Sequence, residues 1–493
     1  MKKIEKNRTH QKHRKMNILR NINFKQIFIL LFASQLMWSC KMGKDYQSPD
    51  VVTPADYRFG TDTLVSTASD TIAWWELISD PLLDTLIVTA LENNQDVDIA
   101  MQRIVEAQKL YRMQKVQTRP GLEYAAGVNY GNYSGFVNPQ GAALSYYGGA
   151  QLNWEIDLWG KNRRLSEAAM ADYKGTLYGL RAVQLSVIAG VTEAYIRLLE
   201  NHASLKVAEE TLASRDSSIQ IMVDRYEFGY IPEIDLNQAQ IQQAIAAASV
   251  PTYKRLIALS ENSLAVLLGE NPRGFLVDFE LDDQKKPPII PAGIPSDLLL
   301  RRPDLQRAEH AIMSQNAKVG SAIAQRFPTI SLTGFAGAAT EFLSTTNSAA
   351  GAWNLGAGIV GPLFQWGKNK RRVEVEKARL EASIAEYERS VILAFQEVED
   401  ALASVQFYRE ELIARERHVR AARNAERLSK ERYDRGVTSY LEYLEQQRQA
   451  FEAELNFINV KSRILVSYIQ LYKALGGGWI TREEKAEAEQ QNN

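Results

Sequence analysis

The sequence predicts an α+β fold, mostly α, made of two copies of one unit: two strands followed by a long helix hairpin. Three observations carry that expectation. The chain repeats itself: Trp159-Gly160-Lys161-Asn162 returns as Trp366-Gly367-Lys368-Asn369, and Arg225-Tyr226-x-x-Gly229 as Arg432-Tyr433-x-x-Gly436, both 207 positions later. Asp96-Val97, Ala100 and Pro120 return 208 positions later as Asp304-Leu305, Ala308 and Pro328. One offset with a single-residue slip across three motifs marks a duplication of about 200 residues. Two proline-free stretches, 161–228 and 368–435, each have the length of a helix of roughly 100 Å. Between the helical stretches the hydrophobic period falls from about 3.5 to 2, the change from helix to strand.

The N-terminus comes first. Nine bases against Glu5 alone occupy the first 25 residues, and Ile27-Phe28-Ile29-Leu30-Leu31-Phe32-Ala33 leads to Trp38-Ser39-Cys40. A basic segment, a short apolar segment and a small residue describe a secretory signal. The chain's one cysteine directly follows Ser39, as in a bacterial lipoprotein signal. The expectation is a signal peptide over 1–39, with Cys40 as the lipid-bearing first residue. An uncleaved anchor with an incidental cysteine is the alternative, and Met16 is a second candidate start. Removal of 1–39 takes the net charge from −1 to about −9, which does not suit a nucleic-acid binder. Residues 40–80, with Pro49 and Pro54, read as an extended leader.

The first repeat spans 81–268. A helix over about 81–118 opens it. Leu122-Tyr124-Ala126-Val128-Tyr130 and Leu152-Trp154-Ile156-Leu158 then alternate with polar or small residues, the pattern of half-buried strands. The helix after 161 reverses at Gly229, and a second helix fills about 233–268. A proline-rich crossover occupies 269–296. The second repeat, 297–475, has a helix over about 297–326, strands at Ile330-x-Leu332 and Trp353-x-Leu355-x-Ala357-x-Ile359, and a hairpin turning at Gly436. Loops are expected at about 134–145 and 341–351. Val391, Phe395, Val398, Leu402, Val405 and Leu412, then Leu441, Leu444, Phe451, Leu455, Ile458, Leu465, Ile469 and Tyr472, keep a 3.5-residue spacing. That spacing describes an antiparallel coiled coil of left-handed twist. A charged, Gln-rich tail closes the chain over 476–493.

Each strand of about 10 to 14 residues can cross a bilayer when tilted. Four strands cannot close a barrel, and a sheet edge in lipid leaves backbone groups unpaired. Spanning strands therefore require an oligomer, of two chains or three, sharing one barrel. The alternative is a small four-stranded sandwich in water on a helical stalk.

Enzyme chemistry finds no support. One cysteine gives no disulfide framework, and His10, His13, His202, His310 and His418 form no spaced metal-binding pair. Gly356-Ala357-Gly358-Ile359-Val360-Gly361 formally fits a dinucleotide fingerprint, but that motif needs a helix directly after it. Here Pro362-Leu363-Phe364 reads as continuing the strand. No cofactor or metal is expected.

Taken together, several motifs resemble the TolC/OprM-type outer-membrane efflux channels, in particular their lipoprotein branch. They are Asp45-Tyr46-x-x-Pro49, Trp74-Trp75 with Asp80-Pro81-x-Leu83, Trp154-Glu155-Ile156-Asp157-Leu158-Trp159-Gly160, Gly361-Pro362-Leu363-Phe364-x-x-Gly367 and Arg301-Arg302-Pro303-Asp304-Leu305. Their order matches over about residues 40 to 478. The resemblance implies a homotrimer: a 12-stranded outer-membrane β-barrel continued by a periplasmic α-helical coiled-coil tunnel. It implies a passive exit duct for small molecules. Its partners would be a periplasmic membrane-fusion adaptor and an inner-membrane pump of the RND type or an ABC transporter. A duct for type I protein secretion is the alternative, and a stalk without a pore is a further one. The hairpin-tip turns at Gly229 and Gly436 would pinch the tunnel, with Asp235, Tyr433, Leu441 and Glu445 at gate-type positions. Thr438 stands where some relatives carry Arg, so the usual Arg–Asp link is not expected here. Rings of Asp235 or Glu445 would favour cations in the pore.

Overall fold

The computed structural model describes residues 41–60, 78, 80–131, 143–276, 280–281, 284, 295–341 and 350–478. Cys40, the signal segment before it, Trp74-Trp75, most of the crossover and the expected C-terminal tail after 478 lie outside the described residues.

In chain order the elements are α1 (Pro81–Asn93), α2 (Gln95–Val116), β1 (Gly121–Gly131), β2 (Ala143–Ile156), α3 (Lys161–Glu227) and α4 (Glu233–Leu267). A single 3-10 turn (Pro295–Asp297) precedes α5 (Leu298–Arg301) and α6 (Pro303–Ala324). The chain continues with β3 (Thr329–Glu341), β4 (Ala350–Val360), α7 (Lys368–Asp434) and α8 (Tyr440–Ala474). The duplication reaches the element boundaries. α7 and α8 begin and end 207 positions after α3 and α4, and α6 begins and ends 208 after α2.

Three expectations need correction. The helices opening each half are not continuous. α1 stops at Asn94, whose side chain accepts from the N–H of Asp96 and so restarts the chain as α2. The second opener breaks at Arg302, in an extended conformation before Pro303, as a residue preceding proline prefers. Pro362-Leu363-Phe364 does not continue β4. The strand ends at Val360 and a turn carries the chain to α7, with Trp366 and Gly367 both at positive φ. A Cβ on Gly361 would lie 2.8 Å from the Pro328 ring, and Pro362 has no N–H to extend the ladder. Leu158 likewise falls beyond the end of β2.

By contacts the chain divides into two compact units, each drawing on both repeats. One comprises Met1–Ser48, Ala107–Asp172 and Ala311–Ser383; the other comprises Pro49–Glu106, Tyr173–His310 and Ile384–Asn493.

The first unit holds the sheet, in the order β1-β2-β3-β4, antiparallel throughout. Its register pairs Leu122 with Leu152, Leu152 with Gly334 and Gly334 with Leu355. Because side chains alternate along a strand, those pairings put every even-numbered residue of β1, β2 and β3 on one face, together with Trp353, Leu355, Ala357 and Ile359 of β4. That face is apolar. Opposite it stand Glu123, Asn129, Gln151, Asn153, Ser331, Thr333 and Asn354. On this second face Tyr147 and Phe335 meet edge to face, with centroids 5.8 Å apart. Gly149 and Gly337 face each other so closely that a Cβ on either would come within 2.6 Å of the other's Cα.

The second unit is helical. Leu83, Ile87, Ile188, Val191, Ile196, Leu198, Leu199 and Leu264 are fully buried. Asp80 is buried too, because it caps α1 through the N–H groups of Leu82 and Leu83 and accepts the Tyr195 hydroxyl at 2.7 Å. The predicted seam packs as the spacing requires at Val391, Val398, Leu402, Leu444, Phe451, Leu465, Ile469 and Tyr472. Leu441 departs from it and is exposed. Each hairpin stops in the same way. Gly229 has φ +73° and Gly436 φ +71°. The N–H of Tyr230 bonds to Arg225 O at 2.8 Å, and that of Val437 to Arg432 O at 2.9 Å, the six-to-one bond of a left-handed helix cap. A Cβ would meet nothing within 4 Å at either glycine. The left-handed backbone, rather than space, therefore demands glycine there. Gly229→Ala or Gly436→Ala is expected to cost about 1–2 kcal/mol each, read as a lowered Tm without loss of helix content.

Candidate functional site

Two places have the chemistry of a site: the sheet face in the first unit and the hairpin ends in the second.

No helix covers the sheet's apolar face among the described residues. Tyr124 is 95% exposed, Leu355 80% and Trp353 80%. Apolar side chains in a continuous row on a sheet do not stand in water without a partner or a lipid phase. Among the described residues β1 and β4 are the sheet's edges, each with one row of ladder groups that faces no neighbouring strand. At the end nearest the helices, aromatic groups gather. Trp159 stacks on Phe327 at 4.7 Å and donates its ring N–H to Pro328 O at 2.7 Å. Phe364 meets Trp366 at 4.7 Å, and both stand exposed beside Leu363. A band of apolar side chains bounded by Trp and Phe is the pattern of strands in a bilayer.

At the hairpin ends, Met222, Leu236, Ala239, Tyr440, Tyr443 and Leu444 form a small core, with Ile219, Val223, Ile231 and Tyr433 packed against it. Tyr433 is its pivot. Its ring lies 5.2 Å from Tyr440 and 6.2 Å from Tyr443, and its hydroxyl donates to Met222 Sδ at 3.5 Å. Arg225 stands over that ring, Cζ 5.1 Å from the centroid, and donates from Nη1 to the same hydroxyl oxygen. The end of α3 is thereby tied to the end of α7. Burial pushes the Tyr433 hydroxyl upward, Arg225 pulls it down, and the Asp235 carboxylate adds to the rise. Burial also pushes Tyr440 and Tyr443 up to about 12. All three are neutral donors at physiological pH.

The other positions behave differently. Asp235 lies in the first turn of α4 and acts on Tyr433 through its charge. Glu445 receives Arg448 at 2.7 and 3.0 Å and Gln449 at 2.8 Å. These bonds hold its carboxyl down at about 2, so its charge persists but is offset on its own helix. Thr438 donates to Glu442, which also receives Arg432 at 3.3 Å. Sequence reading missed Arg225 as the partner of Tyr433. The signal was present: Arg225-Tyr226 and Arg432-Tyr433 are repeat equivalents, and the structure pairs the Arg of one copy with the Tyr of the other. It also missed Arg215, which is 2% exposed, donates from Nη1 to Gln242 O and lies 5.4 Å over the Phe451 ring.

Among the described residues no group of three or more His, Cys, Asp or Glu side chains could hold a metal ion.

Comparison with known proteins gives one answer throughout. A family model described as outer membrane efflux protein matches residues 86–270 and 294–477, the two repeats. The chain is 32% identical over 482 residues to the probable efflux pump outer membrane protein TtgC of Pseudomonas putida, covering 95% of this chain and 98% of that one. It is 30% identical over 444 residues to the cation efflux system protein CusC of Escherichia coli, covering 89% and 96%. The solved open state of the Neisseria gonorrhoeae MtrE outer membrane channel superposes with a TM-score of 0.78 at 30% identity, covering 89% of this chain and 98% of that one.

Proposed function

The chain belongs to the outer membrane efflux protein family, and from that premise we propose that three copies close one 12-stranded barrel and continue it as a helical tunnel. The protein is an outer-membrane component of an efflux pump, an exit duct that extends into the periplasm and works with an adaptor and an inner-membrane pump. Its cargo is small molecules handed on by the pump; an RND-type transporter is the proposed partner. The observation that carries a barrel shared between copies is the sheet itself; the number three rests on the family. An apolar face that no described residue covers, on a sheet with two open edges, is stable in lipid when β1 of one copy pairs with β4 of the next.

Two measurements test this. Purified in detergent, the protein should be a trimer with no stably folded monomer, and in planar bilayers it should conduct. A monomer that keeps its strand content, or a trimer without conductance, would refute the duct. Cys40 is proposed as the acylated N-terminus. Mass spectrometry should find lipid on Cys40 and nothing before it, and an unmodified Cys40 would remove that assignment.

Asp235, Tyr433, Leu441 and Glu445 are proposed as gate residues around the turns at Gly229 and Gly436. Leu441 is free to meet another copy, being exposed in its own. The paired state of Glu445 ranks the two acids: Asp235→Asn should lower cation preference more than Glu445→Gln, because Arg448 already offsets the Glu445 charge. Reversal potentials in a salt gradient read this directly. An equal or larger effect at Glu445 would contradict the ranking.

A further inference from the structure

Arg164 sits in the first turn of α3, where the helix dipole disfavours a cation. Its side chain is also 1% exposed. A charge buried in such a place persists only with compensating partners, and the partners found are mostly peptide oxygens of one short segment. Arg164 Nε donates to Met42 O at 2.8 Å, and Nη2 to Gly43 O at 3.0 Å and Lys44 O at 3.4 Å. Nη1 pairs with Glu167 at 2.9 Å and Asp45 at 3.1 Å. Around this fork, Lys41 pairs with Glu167 at 2.8 Å, the Met42 N–H reaches Trp159 O at 3.4 Å, and Asn316 Nδ2 donates to Lys44 O at 3.1 Å. Gly43, at φ +88°, lies against Gly320. A Cβ on Gly320 would sit 2.7 Å from Met42 O and 2.8 Å from Arg164 Nε.

The duplication supplies an internal control. The repeat equivalents of Arg164 and Glu167 are Arg371 and Glu374, which keep the ion pair at 2.7 Å, yet Arg371 is 77% exposed. The equivalent of Gly320 in the first half is Arg112. Helix geometry and the pair with the following glutamate therefore do not account for the burial of Arg164. Residues 42–44, which only the first half receives, do.

We propose that Arg164, with the close approach of Gly43 to Gly320, is a dock for the chain's own N-terminal tether, and that it sets the level at which residue 40 meets the bilayer. Two residues separate Cys40 from the first docked carbonyl, a reach of about 7 Å. Acyl chains on Cys40 would then enter the membrane beside the junction of sheet and helix, attached to the unit that carries the sheet. The positional part of this inference rests on Cys40 being the lipidated residue; the dock itself does not.

Trypsin treatment of the purified full-length trimer tests it. A protease must draw the scissile carbonyl into its own cleft, and the carbonyl of Lys44 is held by Arg164 and Asn316. Cleavage after Lys44 in the wild type should be slow beside cleavage at the exposed tip residue Arg435. Arg164→Met and, independently, Gly320→Ala should each raise the rate after Lys44 at least tenfold while the rate at Arg435 stays within twofold. Asn316→Ala, which leaves the fork intact, should give a smaller rise and serves if both other variants misfold. Equal Lys44 rates in wild type and variants, or a wild type cut there as fast as at Arg435, would overturn the dock. The mass of the released peptide that begins at Cys40, ending at Lys41 or Lys44 because trypsin cuts after both, reads acylation separately. An unmodified peptide with Arg164-dependent release leaves the dock standing and removes the anchor. An acylated peptide released at an Arg164-independent rate does the reverse.

Discussion

Leu355→Arg, or Tyr124→Arg, is expected to abolish stable insertion, while Asn354→Arg one position away leaves the channel assembled. Leu355 and Tyr124 lie on the apolar face by register, and the arginine of a lipid-facing substitution near the bilayer midplane costs about 2–4 kcal/mol. In the proposed barrel three copies each bear that cost, a sum comparable to the 5–15 kcal/mol of a typical domain's whole stability. Asn354 is on the opposite face, which lines the water-filled interior of the proposed trimer. There an arginine changes the field along the pore instead: Asn354→Arg should conduct and shift selectivity toward anions. Outer-membrane fractionation and trimer yield read the first effect, and reversal potentials the second. Normal insertion of Leu355→Arg together with loss of Asn354→Arg would mean that the faces are assigned the wrong way round.

Loosening the tie between the hairpin ends should open the tunnel. Arg225→Ala removes both the hydrogen bond to Tyr433 and the cation over its ring; Tyr433→Phe removes the first, with the weak bond from the hydroxyl to Met222 Sδ, and keeps the ring under the cation. A hydrogen bond involving a charged group contributes about 1.5–3 kcal/mol, and a cation over an aromatic ring about 0.5–2 kcal/mol. Arg225→Ala should therefore raise single-channel conductance and sensitivity to large antibiotics such as vancomycin more than Tyr433→Phe does. The double variant should add little to Arg225→Ala, since both act on one contact. Leu441→Ala tests a different contact, because Leu441 is exposed in its own chain, and its effect should add to that of Arg225→Ala. Wild-type conductance from Arg225→Ala in an inserted trimer would place the gate elsewhere. Neither tie nor opening should respond to pH in the physiological range. Burial holds the Tyr440 and Tyr443 hydroxyls at about 12, so the tyrosine cluster loses its protons only in strong alkali. Glu445, held at about 2 by Arg448, keeps its charge down to strongly acidic pH.

Much of this molecule was legible in its sequence because duplication writes each signal twice. The 207-residue offset located the start of both long helices and both hairpin turns, and alternation located both strand pairs. The turns at Gly229 and Gly436 were placed by a residue type that adopts left-handed backbone at little cost, and the structure shows them as left-handed caps. Alternation along β1 and β4 announced a two-faced sheet before any register was known. Those properties are local: periodicity, proline position and glycine need only the chain's own order, and repetition removes chance. The breaks at Asn94 and Arg302 were less legible, because a side-chain cap or one residue before proline interrupts a helix without interrupting its hydrophobic period.

What tertiary structure alone decided is where equivalent residues stop being equivalent. Arg164 and Arg371 share a motif, a helix position and a glutamate partner, yet one is buried against residues 42–44 and the other is exposed. Arg225 and Arg432 share a motif as well, yet one holds Tyr433 and the other pairs with Glu442. A sequence records the chemistry a side chain carries; which neighbour it meets can depend on segments far away along the chain, 120 to 122 positions distant for Arg164 and 208 for Arg225. Burial and pairing are set by those long-range contacts, and two copies of one motif in different surroundings become two different sites.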